Sequence, residues 1–220
     1  MRRISALLAG LVISAGLALA VAPAAYAASC DGTYTIVVGG FTDRDSTIFR
    51  GNVSQRVGYS AEVNSQSARQ GVDELNKLIR NHRAACPGQH AKVVGFSEGA
   101  AVAHIWVTEN WKSFGNVNAV LIADPKREPN GLGGNGLAGQ APSKAFGPIV
   151  GPPLVGVDRF FGNVPTVSLC ADDIICDELA PSGWIGYAQQ KHTHNYDFNV
   201  DAYSNNGVGQ WFNGKYFPDK

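Results

Sequence analysis

The chain has 220 residues, with 18 Lys+Arg balanced by 18 Asp+Glu, so its formal net charge is zero. No stretch gathers the positive charge that a nucleic-acid partner would require, and that class of function is set aside. With 45% hydrophobic residues the chain has the apolar material for one substantial core.

Met1-Arg2-Arg3 leads into an apolar run from Ile4 to Val21 and then Ala25-Tyr26-Ala27. A basic start, an apolar middle and a small-x-small site are the pattern of a secretory signal peptide, with cleavage expected after Ala27. The competing reading is a membrane anchor; the Ala- and Gly-rich run and the lack of a stop-transfer pattern argue against a stable membrane span. Residues 28–220 are then expected to form a single domain.

Residues 33–39, Thr-Tyr-Thr-Ile-Val-Val-Gly, predict a β-branched strand that enters a tight loop at Gly40-Phe41-Thr42-Asp43. From about residue 65 the period changes. Val72, Leu75, Leu78 and Ile79 recur at helical spacing with Arg69, Asp73, Lys77 and Arg80 opposite, which predicts an amphipathic helix ending near Cys86-Pro87-Gly88. An apolar strand follows and breaks into Gly95-Phe96-Ser97-Glu98-Gly99, then into small helix-forming residues up to about 111.

Strand, Gly-x-Ser-x-Gly and helix together predict a nucleophile elbow, in which a serine on a strained turn faces substrate and the neighbouring positions leave no room for side chains. The helix behind it would aim its N-terminus at the site, so the backbone N–H of Glu98 could stabilise an oxyanion. A second donor is expected from the loop after the first strand, the backbone N–H or hydroxyl of Phe41 or Thr42. An ordinary Gly-rich turn is the plainer alternative for both stretches.

Residues 117–123 predict a further strand, ending at Asp124-Pro125, and residues 164–169 another, leading into Cys170-Ala171-Asp172-Asp173-Ile174-Ile175-Cys176. Helices alternating with buried strands imply an α/β fold, a mostly parallel sheet covered by helices on both faces, with no large lid domain. Between them residues 126–163 are dense in Gly and Pro without regular period. Ile149, Val150, Leu154, Val155, Phe160 and Phe161 there would cover either the core or an acyl-binding cleft. The chain closes with Lys191-His192-Thr193-His194-Asn195-Tyr196 and a tail rich in Asn, Gly and aromatics.

A serine nucleophile needs a base and a carboxylate that orients the base. Ser97, then Asp172 or Asp173, then His192 or His194 follows the Ser…Asp…His order of α/β-hydrolases. Asp124 is a rival acid, although Asp-Pro reads more readily as a structural turn. The four cysteines of an exported chain read as two disulfides and not as metal ligands, since no Cys-x-x-Cys occurs; of three possible pairings Cys30–Cys86 with Cys170–Cys176 is preferred.

Cys86-Pro87 shortly before a strand and Gly-Phe-Ser-Glu-Gly-Ala, followed by Cys-x-x-Asp-x-x-Cys and a His-Thr…Tyr segment, resemble the cutinase family of secreted serine esterases. Ala123-Asp124-Pro125-Lys126-Arg127 with its glycine-rich sequel also resembles the actinobacterial cutinase-like and PE-PPE-type esterases. The resemblance implies an α/β-hydrolase domain with Ser97 as nucleophile, Asp173 as orienting acid, His192 as base with His194 as the alternative, and Phe41–Thr42 with Glu98 as the oxyanion hole. It also implies the same two disulfides, a lipid or polyester substrate, a monomer, and no metal or organic cofactor. Three features depart from the family pattern: Glu98 where Gln is usual, a cysteine loop one residue shorter than in the fungal enzymes, and a histidine four or two residues before the tyrosine instead of three. Other readings are a peptidase or thioesterase on the same scaffold, or a secreted binding or cell-wall protein that keeps the fold with a disabled site.

Overall fold

The computed structural model describes residues 30–127, 164–176, 185–186, 188–205, 210–212 and 215–217. The leader pattern and the apolar segment 148–161 lie outside the described residues. Five strands form one parallel sheet: β1 (Thr33–Val38), β2 (Gln55–Arg56), β3 (His90–Phe96), β4 (Val117–Ile122) and β5 (Thr166–Leu169), in the order β2-β1-β3-β4-β5. A separate antiparallel pair, β6 (Gln210–Phe212) and β7 (Lys215–Phe217), follows near the end of the chain. β1, β3, β4 and β5 are buried almost throughout, as strands covered on both faces must be, and this is why their sequences run apolar instead of alternating.

Helix α1 (Ser65–Ala85) starts where the Asn64 side chain accepts the Ser67 N–H at 2.8 Å. Its stripe of Ala68, Val72, Leu75 and Ile79 is buried on the sheet, and His82 and Arg83 in the last turn complement the helix dipole. Helix α2 (Glu98–Asn110) packs beside it and is buried from Glu98 to Val107. The two helices share one face with Ile36, Val38, Val93, Ala119 and Leu121.

The opposite face is built differently. Among the described residues, Val37, Val94, Phe96, Val120 and Ile122 are covered there by Phe49 and by Tyr196, Phe198, Val200 and Tyr203 from the C-terminal segment. Lys92 of β3 reaches into this layer, 3% exposed, and donates to the carbonyls of Val200 and Tyr203, both at 3.0 Å. Burial lowers the affinity of this amine for its proton, although Asp201 opposes the shift. One strand therefore holds the C-terminal segment by its side chain and carries Ser97 at its end.

Strand order reverses between β1 and β3, because β1 leads outward to β2 while β3 leads through α2 to β4. A parallel sheet opens a crevice at such a point, beyond the carboxyl ends of the strands. Ser97 and the loop after β1 both lie there. No helix among the described residues is long and apolar enough to cross a membrane.

Candidate active site

Ser97 has φ 56° and ψ −122°, a left-handed backbone that a residue with a β-carbon adopts only under constraint. The constraint is visible. The Ser97 N–H donates to the Ile122 carbonyl at 2.9 Å, and its own carbonyl already accepts from Ala100 and Ala101 as the first turn of α2. A side chain on Gly95 would strike the Gly99 carbonyl and Ala100, and one on Gly99 would strike the Val38 and Gly39 carbonyls. Both glycines are thus required by the crossing of α2 over the ends of β1 and β3.

The loop after β1 lies against the serine: a β-carbon on Gly40 would come 2.9 Å from Ser97 Cβ. It is held on each side. The Gly39 N–H donates to the Ser46 hydroxyl at 2.8 Å, the Gly39 carbonyl accepts the Tyr59 phenol at 2.6 Å, and Asp43 gathers the Thr47 N–H and hydroxyl and the Ile48 N–H. Phe41 is 58% exposed. Thr42, at φ 69°, donates its N–H to the Ala61 carbonyl at 2.9 Å, which leaves its hydroxyl and the Phe41 N–H as the donors that this pair can offer.

His192 sits on a single helical turn, Lys191–His194, and points back at the elbow. Its Nε2 lies 3.1 Å from Ser97 Oγ, and its Nδ1 lies 2.6 Å from Asp173 Oδ2. The ring stacks on Phe96 with centroids 4.7 Å apart. Asp173 is fully buried in the loop closed by the Cys170–Cys176 disulfide; its Oδ1 accepts the Ile175 N–H at 3.0 Å, and its Oδ2 accepts the Tyr196 phenol at 3.0 Å. The donors that converge on this buried carboxylate fix its orientation toward the imidazole.

The alternatives fall elsewhere. His194 is exposed and donates Nδ1–H to the Gln190 carbonyl at 2.8 Å. Asp172, at φ 51°, is exposed and faces Lys191 at 3.5 Å. Asp124 is fully buried, as is His104, with His104 Nδ1 2.6 Å from Asp124 Oδ2; the other Asp124 oxygen accepts the Lys126 N–H at 2.9 Å. Burial pushes the Asp124 carboxyl up, but His104 and the Lys126 contacts more than offset it, and the net shift is downward.

Glu98 offers its backbone at the start of α2 and turns its side chain away. The residue is 5% exposed, and burial pushes its carboxyl up to about 8, with the Ser67 hydroxyl opposing the rise and Glu62 adding to it. The second disulfide joins Cys30 to Cys86. Among the described residues no three His, Cys, Asp or Glu side chains cluster to hold a metal.

Three groups went unread in the sequence: Tyr196 on Asp173, Tyr59 with Ser46 on the loop after β1, and Lys92 under the C-terminal segment. Each works through a contact between distant parts of the chain, and none has a local pattern that would flag it.

No curated protein matches the chain. Among solved structures it is similar to a cutinase-like protein from Cryptococcus sp., at 21% identity over 80% of this chain and 96% of that one, with a TM-score of 0.48. It is also similar to the catalytic core of an acetyl xylan esterase from Trichoderma reesei, at 15% identity over 73% and 94% of the two chains, with a TM-score of 0.42. The family model described as Cutinase matches residues 25–203, which takes in both disulfides, the elbow and the whole of the Ser97, Asp173 and His192 constellation. On that match the chain belongs to the cutinase family.

Proposed function

We propose that the protein is an exported serine esterase that hydrolyses carboxylic esters of lipids or polyesters through an acyl-enzyme. The observation that carries this reading is the unbroken chain from Ser97 Oγ through the His192 ring to Asp173 Oδ2, at 3.1 and 2.6 Å. Ser97 Oγ attacks the ester carbonyl carbon while its proton passes to His192 Nε2. Asp173 keeps Nδ1 protonated and stabilises the imidazolium that forms.

Negative charge that develops on the carbonyl oxygen is received by the Glu98 N–H at the start of α2 and by the Phe41 N–H or the Thr42 hydroxyl. The alcohol leaves with the proton from His192. Water then attacks the acyl group with His192 again as base, and the acid is released with Ser97 restored. This chemistry uses the chain's own groups and calls for no cofactor. Export is supported by the leader pattern and by two disulfides, which persist in oxidising compartments.

The test is hydrolysis of p-nitrophenyl esters by the purified protein beginning at residue 28, beside Ser97→Ala. Loss of about 10⁴-fold or more is expected. Equal rates in the two proteins would overturn the reading and leave a binding or cell-wall role on a hydrolase scaffold.

A further inference from the structure

The turn that bears His192 has only four residues and begins after Gln190 in a left-handed conformation, so it has little rigidity of its own. What orients the imidazole is the carboxylate at Nδ1, and what orients the carboxylate is its own partners. Tyr196 supplies one of them. It is 6% exposed, and its phenol oxygen accepts the Ala171 N–H at 3.1 Å. An amide N–H cannot accept in return, so that contact directs the phenol proton to Asp173 Oδ2, 3.0 Å away and the same oxygen that meets His192. With Ile175 on Oδ1, the carboxylate is pinned at both ends.

Tyr196 follows His192 by four residues, just past the turn Lys191–His194, and both side chains reach the same carboxylate oxygen. Asn195 adds a bond from its amide to the Ala171 carbonyl at 2.9 Å, so the histidine-bearing turn is stitched to the aspartate-bearing loop at two successive residues. The charged groups that face the phenol are Asp173 itself and Arg127, whose guanidinium is seated on Ser168 Oγ at 3.1 Å. On the remaining sides are the Cys176 sulfur at 3.5 Å and the Phe96 ring.

We propose that Tyr196 is a positioning residue of the reaction: its phenol fixes the Asp173 carboxylate so that His192 keeps one tautomer and one orientation toward Ser97. The inference rests on the reading of those three residues as a catalytic triad. It separates two functions of one carboxylate. The bond to Tyr196 steadies Asp173, and it also draws charge from the oxygen that stabilises the imidazolium. Removing it should therefore slow the reaction and let the imidazole hold its proton to higher pH.

The experiment is Tyr196→Phe, which keeps the ring and deletes one oxygen. With p-nitrophenyl butyrate, kcat should fall about ten- to hundredfold while KM stays within about twofold. The acid limb of kcat/KM should move up by about half a pH unit or more. A folded variant whose kcat and acid limb match wild type overturns the inference. Site-specific replacement of Tyr196 by 3-fluorotyrosine, a stronger donor in the same ring, covers the case in which the Phe variant does not fold: the limb should move down, and an unmoved limb overturns the inference equally. Failure of the wild-type protein to cleave any ester would instead strike the esterase reading. In that event the imidazole Nδ1 proton of His192 gives a separate readout by NMR, which Tyr196→Phe should shift and which, if unshifted, tells against Tyr196.

Discussion

Glu98 turns its buried carboxyl toward the start of α1, where its charged neighbour is another acid, Glu62. Burial lifts this carboxyl to about 8, so it is neutral through most of the physiological range. An unfolded glutamate ionises near pH 4.3. Between that value and 8 the folded protein holds a proton that the unfolded chain has released, and the stability contributed here falls as pH rises through the window.

The penalty is on the order of 3 kcal/mol at neutral pH. Glu98→Gln should recover part of it, raising the melting temperature at pH 7 to 8 and flattening its fall toward alkali. In the proposed reaction an ionised Glu98 also opposes the oxyanion next to its own N–H. Wild-type kcat should then decline above about pH 8, by about tenfold or more, and the Gln variant should not decline. Measurement of kcat for both proteins between about pH 6 and 10 checks this, and superimposable curves would mean that Glu98 does not titrate.

The two histidines of the 191–194 turn should separate cleanly. His192→Ala is expected to lose about 10⁴-fold or more in kcat, because the base is gone. His194→Ala removes only an exposed bond to the Gln190 carbonyl and should stay within about twofold of wild type. Acid pH should silence the wild-type protein, since only a neutral imidazole takes the serine proton. Comparable losses in both variants would show that the turn itself, and not His192, is what the reaction needs.

Asp124 and Asp173 are both fully buried beside a histidine, yet their variants should fail in different ways. Asp124→Asn breaks a buried pair and should cost about 3–5 kcal/mol of stability, with kcat of the folded protein little changed. Because the Asp124 carboxyl is depressed in the folded state, its contribution is complete above the unfolded value near 3.9 and is lost as pH falls through the folded one. Asp173→Asn should instead lower kcat by several decades with a smaller change in melting temperature. Thermal melts and initial rates on the two proteins decide it, and a large kcat loss in Asp124→Asn would contradict the assignment.

The disulfides should divide in the same manner. By loop entropy, the 56-residue separation of Cys30 and Cys86 is worth ~4 kcal/mol, and the six-residue separation of Cys170 and Cys176 ~2 kcal/mol. The small bridge encloses Asp173 and touches the Tyr196 oxygen. Cys170→Ala with Cys176→Ala should therefore stay folded and turn over slowly, a split read by circular dichroism and by kcat. Full activity in that protein would show that the loop holds Asp173 without its staple.

The sheet and α1 were legible because their patterns are local: β-branched runs bounded by Gly and Pro, and a stripe at Val72, Leu75 and Ile79. Helix α2 has no polar face to set a period, since it is buried on nearly every side, and only the Gly-Phe-Ser-Glu-Gly that precedes it marks its start. Strand β2 is two residues long and leaves no signature at all. At the site, the Ser…Asp…His order leaves Asp172 and Asp173 as candidate acids with Asp124 as their rival, and His192 and His194 as candidate bases. The fold then turns Asp172 and His194 outward and Asp173 and His192 inward, a choice made by the small disulfide loop and the 191–194 turn packing together. No one-dimensional pattern contains that packing.

The Lys92 side chain gives this enzyme a way to lose its working shape in stages. The C-terminal segment is tied to β3 at the carbonyls of Val200 and Tyr203 and lies on the face that carries neither α1 nor α2. Its release would withdraw His192 from Ser97 while both long helices remain packed, a sub-global opening of the kind that amide exchange detects. On warming, ester hydrolysis should fade several degrees before far-ultraviolet helicity does, and Lys92→Met should widen that interval. Amides of residues 196–203 would then exchange at a lower free energy than those of β3.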